Sequence, residues 1–67
     1  MNSSILEQAL SLATTDKFSS SRLRALKRLY EKAESPDKEK IGELFEIFTV
    51  LANTEELADQ MSEIMDE

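Results

Sequence analysis

A chain of 67 residues with no cysteine and no histidine excludes a disulfide framework, the usual zinc sites of small folds, and the triads and thiolates of most nucleophilic catalysts. Its composition, 40% hydrophobic and 33% charged, is too apolar for disorder and sufficient for a single helical domain over 1–67. The net charge of −6 sets the molecule as a whole against nucleic acid and anionic membranes.

With one glycine, one proline and no stretch alternating at period two, the pattern is helical throughout. It predicts an all-α fold, a small bundle of three or four antiparallel helices at about 3–13, 20–34, 36–52 and 54–65. In the first, Ile5, Leu6, Ala9, Leu10, Leu12 and Ala13 fill an arc of roughly 160° at about 100° per residue, with Ser3 or Ser4 as the cap. The first residues carry no basic n-region, and Glu7 and Gln8 interrupt their apolar positions, so they do not read as a signal peptide. No apolar run approaches the ~20 residues that cross a bilayer, so no membrane association is expected. The lack of cysteine fits a cytoplasmic location.

Thr14, Thr15 and Asp16 break the first helix, because their side chains compete for backbone hydrogen bonds. Ser19 then reads as an N-cap, with Phe18 and Leu23 at the spacing of a hydrophobic staple. The second helix turns Leu23, Ala25, Leu26, Leu29, Tyr30 and Ala33 inward, and Arg24, Lys27, Arg28 and Lys32 outward. Ser35 as cap, Pro36 as first helical residue and Asp37 in the first turn open the third helix. Ile41, Leu44, Phe45, Ile47, Phe48 and Leu51 form its stripe, and Leu44–Ala52 is apolar almost all round. Such a helix lies at the centre of a bundle or offers a second face to a partner. Run on through Asn53, it would place Leu57, Met61 and Ile64 on nearly the opposite side. Asn53 as cap with Glu56 three residues on therefore starts a fourth helix, with Leu57, Ala58, Met61, Ile64 and Met65 as its stripe. Leu26, Leu29, Leu44, Phe48 and Leu51 are the expected core.

The charge is unevenly divided. Residues 17–32 carry Lys17, Arg22, Arg24, Lys27, Arg28 and Lys32 against the lone acid Glu31, whereas Glu43–Glu67 has acids and no base. Arg22 and Arg24 stand in the first turns of a helix, where the macrodipole disfavours cations. Either the basic helix pairs inside the bundle with the acidic faces of the third and fourth helices, Arg24, Lys27 and Arg28 meeting Glu55, Glu56, Asp59 or Glu63, or it serves a partner. The candidate contact residues are Arg24, Lys27 and Arg28 on the basic helix, Phe45, Phe48 and Val50 on the broad stripe, and Met61 and Met65 on the adaptable methionine face.

No catalytic site is expected. Paired carboxylates need a cleft and a raised pKa, for which four short helices leave little room, and Tyr30 reads as a core residue with its hydroxyl at the rim. There is no calcium-loop pattern, and Gly42 sits inside the third helix, so no metal, cofactor or small-molecule substrate is expected. No motif is specific enough to name a family. The reading is a non-enzymatic protein-binding module, such as an adaptor, a small chaperone or a regulatory inhibitor, whose partner is another protein or a second copy of itself. One alternative is a nucleic-acid-associated regulator using helix 22–32. That helix lacks interleaved aromatics and base-reading amides, and 14–19 is long for the turn of a helix-turn-helix. The other is an acidic mimic of nucleic acid using 43–67.

Overall fold

Hydroxyl side chains start three helices and the backbone starts the fourth. A computed structural model describes residues 4–67. Helix α1 (Ile5–Ala13) opens on Ser4, whose Oγ accepts from the Glu7 N–H at 3.0 Å. Ser3, the other candidate cap, lies outside the described residues. Past Ala13 the Thr14 hydroxyl donates back to the Leu10 carbonyl at 2.7 Å and that of Thr15 to the Lys17 carbonyl at 3.0 Å, the local competition that ends α1. Helix α2 (Ser20–Lys32) opens on Ser19, as expected, with its Oγ accepting from the Arg22 N–H at 3.4 Å.

Helix α3 (Asp37–Leu51) corrects one expectation. Ser35 does not cap it, and Pro36 is the cap residue rather than the first helical one. The Ser35–Pro36 peptide bond is cis, and Pro36 already has helical dihedrals of φ −89° and ψ −7°. The carbonyls of Glu34 and Pro36 accept from the N–H groups of Lys38 at 3.0 Å and Lys40 at 3.3 Å, so the backbone itself supplies acceptors for the first amides. Helix α4 (Glu55–Asp66) corrects another by one residue: Thr54, not Asn53, is the cap, its Oγ1 accepting from the Leu57 N–H at 3.2 Å.

The fold is all-α, a bundle of four helices with no strand among the described residues. Helices α2 and α3 form an antiparallel central pair. Near the end of α2, Tyr30 meets Phe45 edge-on with ring centroids 5.6 Å apart, and just before its start Phe18 meets Phe48 at 6.4 Å. Helix α1 packs along both of them. Helix α4 packs on α2 and more lightly on α3, and does not approach α1. The shared core is Ala9, Ala13, Leu23, Leu26, Ala33, Ile41, Phe48 and Ile64, with no buried polar or charged residue among those described. The alanines let α1 lie close against its neighbours. Of the expected core, Leu26 and Phe48 are fully buried, whereas Leu29, Leu44 and Leu51 are half-buried on helix flanks.

Candidate interaction surfaces

The basic residues of α2 reach the carboxyl ends of other helices. The Arg22 guanidinium donates through Nη1 to the carbonyls of Ser11 at 3.2 Å and Leu12 at 3.4 Å, in the last turn of α1. Arg24 grips the Glu67 carboxylate with two bonds, Nε to Oε1 at 3.3 Å and Nη2 to Oε2 at 3.0 Å. Lys27 Nζ donates to the Ile64 carbonyl at 2.9 Å and to the main-chain carbonyl of Glu67. Cations near the orphan carbonyls and negative pole of a helix are favourable. The arginines that look misplaced on α2 are therefore well placed for α1 and α4.

Internal pairing thus occurs, but with Glu67 and main-chain carbonyls. Among the described residues Glu55, Glu56, Asp59 and Glu63 form no ion pair. The hydrogen bond from Arg24 holds the Glu67 carboxyl below its ordinary pKa. Desolvation opposes this shift, and the charges of Arg24, Lys27 and Arg28 add to it. Arg28 is exposed and acts on Glu67 only through its charge.

The apolar candidates divide sharply. Phe48, counted above among the contact residues, is 0% exposed: it sits beneath Phe18 at the centre of the core and cannot meet a partner. Phe45 is half-buried against Tyr30. Met61 is half-buried, its sulfur accepting from the Thr49 hydroxyl at 3.8 Å. Val50 is 75% exposed and Met65 40%. Leu10 and Ile47, which their helical arcs assigned to the interior, are 48% and 39% exposed. The arcs of α1 and α3 are wider than their neighbours can cover. Ile47 lies one turn before Val50, so the outer face of α3 carries two exposed aliphatic side chains in succession.

Beside them, where α3 gives way to α4, an open groove of about 480 Å³ is lined by Phe18, Val50, Leu51 and Leu57, with Asp16, Lys17 and Asn53 at its margin. No group of three acidic side chains converges as a metal site among the described residues. None of the described helices is long and apolar enough to cross a membrane. Comparison of the chain with protein-family models, with curated proteins and with solved structures gave no match.

Proposed function

We propose that this chain is a non-enzymatic protein-binding module, an adaptor, small chaperone or regulatory inhibitor, that works by helix-on-helix contact at the outer face of α3. The observation that carries this reading is the exposure of Val50, 75%, on the same face as Ile47 and beside an apolar groove. Scattered exposed aliphatics are ordinary. A pair at i, i+3 whose second member, Val50, lines a groove has the anchor spacing of helix-in-groove recognition. The ties of Arg22, Arg24 and Lys27 to carboxyl ends within the bundle leave Arg28 and Lys32 as the outward cations of α2. Two cations are a short row for tracking a phosphate backbone, which favours a protein partner over nucleic acid.

The test is Val50→Glu. Folding stability should change by no more than about 0.5 kcal/mol, as for an exposed site. Capture of a partner from a native extract should fall at least tenfold relative to the wild-type chain. Unchanged capture by the variant would refute the reading. So would tight binding to generic duplex DNA that weakens steeply with salt, which would restore the nucleic-acid alternative.

A further inference from the structure

We infer that α3 and α4 can join into one continuous helix, that α4 is then exchanged with a second copy of this chain, and that Val50 lies where the two long helices cross. The inference rests on the reading of the outer face of α3 as a contact surface, and it names the occupant.

The first support is phase. Counting about 100° per residue from Ile41, Phe48 falls near 340° with the buried stripe, while Val50 falls near 180°. If the helix ran on through residue 54, Leu57 would fall near 160°, Met61 near 200° and Ile64 near 140°. Val50 is thus the first member of the stripe that α4 uses for packing, and 50, 57 and 64 are spaced by heptads. In the closed molecule the chain turns at 52–54, α4 folds back, and its stripe packs on α2 and α3. Val50 is left behind in water. In the joined helix the same line is continuous, and the surface that receives Leu57, Met61 and Ile64 also covers Val50.

The second support is the hinge. Ala52, Asn53 and Thr54 include neither glycine nor proline, and no described residue has positive φ. Ala52 (φ −79°, ψ 64°) and Thr54 (φ −121°, ψ 159°) leave the helical region chiefly through ψ. The Ala52 N–H already makes the helical bond to the Phe48 carbonyl at 2.8 Å. A rotation at a few bonds therefore continues α3, and what opposes it is the Thr54 cap and the docking of α4.

The third support is the manner of that docking. Helix α4 contributes one buried side chain, Ile64, and is gripped at its carboxyl end by Arg24 and Lys27. Every one of these contacts can be made to the α4 of a second copy, as exchange of an identical element requires. The groove lined by Phe18, Val50, Leu51 and Leu57 sits at the hinge, where the two copies would meet.

Glu55→Pro separates the two forms. Residue 55 is the first residue of α4, a position where proline is favoured because its missing N–H has no helical partner. In the joined helix the same residue is interior, where proline removes a hydrogen bond and clashes with the preceding turn. Sedimentation of the full 67-residue chain from micromolar to millimolar concentration should show a dimer that grows with concentration. Glu55→Pro should remain monomeric with unchanged helical content and melting temperature. Thr54→Ala, which loses the cap, should tighten the dimer severalfold. A dimer that Glu55→Pro retains would overturn the exchange in favour of two closed molecules meeting at Val50. A wild-type chain and a Thr54→Ala variant that both stay monomeric would overturn it altogether. In that case capture of another protein, lost in Val50→Glu, would still uphold the contact-surface reading.

Discussion

Phe48 and Val50 lie two positions apart in α3, yet one is 0% and the other 75% exposed. Two steps along a helix rotate a side chain by about 200°, so a continuous apolar run cannot all face inward. Phe48→Ala removes a ring packed edge-on against Phe18 and should cost about 3–5 kcal/mol, enough to unfold a domain this small. A loss below about 1 kcal/mol in a denaturant melt would place that ring at the surface instead. Gly42 offers the opposite case. It lies inside α3 with ordinary helical φ, and a Cβ built there would meet Tyr30 Cε1 at 3.5 Å, a normal van der Waals contact. Gly42→Ala should therefore raise stability by about 0.5–1 kcal/mol, read as a higher denaturant midpoint. Some residue roles were readable beforehand. The position of Arg22 and Arg24 against the dipole of their own helix signalled a partner elsewhere, although it did not say that the partners are the carboxyl ends of α1 and α4. Those ends come together only in the folded molecule.

At the scale of elements, α4 depends on charge more than the other helices do. Its carboxyl end is held by Arg24 and Lys27, and the Glu67 carboxyl is shifted below its ordinary pKa by that grip. A depressed carboxyl pKa means that this anchoring is fully present above the ordinary pKa and is lost as pH falls through the lowered value. Acid should therefore loosen α4, seen as loss of the α4 contribution to helical circular dichroism, and Glu67→Gln should remove that pH dependence. Reversing Arg24, Lys27 and Arg28 together to Glu should lower the melting temperature, because it sets like charges beside Glu67 and strips donors from the α4 carbonyls. High salt should shrink that loss. A reversal without thermal effect would return these cations to an external role. Helix starts were readable where a second signal picks out the cap, as the Phe18–Leu23 staple spacing does for Ser19 within the run Ser19–Ser21. They were misread where Asn53 and Thr54 offer competing caps side by side, and where backbone carbonyls around Pro36 take over the work of a side chain.

For the whole molecule, periodicity pointed to three or four helices and their order, with the out-of-phase stripes of the last two segments favouring a break between them; the folded chain has four. It could not establish how many neighbours each helix has. An apolar arc shows which side chains are able to be buried; the packing decides which of them are. Leu10 and Ile47 were assigned inward on that basis and lie exposed: Leu10 because α1 has α2 and α3 for company but no contact with α4, and Ile47 because the apolar arc of α3 is wider than its neighbours cover. The same asymmetry sets the order of opening. Helices α2 and α3 each touch the three others, whereas α4 touches two, one of them lightly, and supplies only Ile64 to the buried core. Local opening free energy follows buried apolar contact. Native-state hydrogen exchange should therefore show the amides of α4 exchanging through an opening smaller than global unfolding, with weak dependence on denaturant, while those of Leu23, Leu26 and Ile41 exchange only when the whole bundle unfolds. Equal protection across all four helices would mean that α4 is as firmly built in as the central pair, and would remove the basis for its exchange between copies.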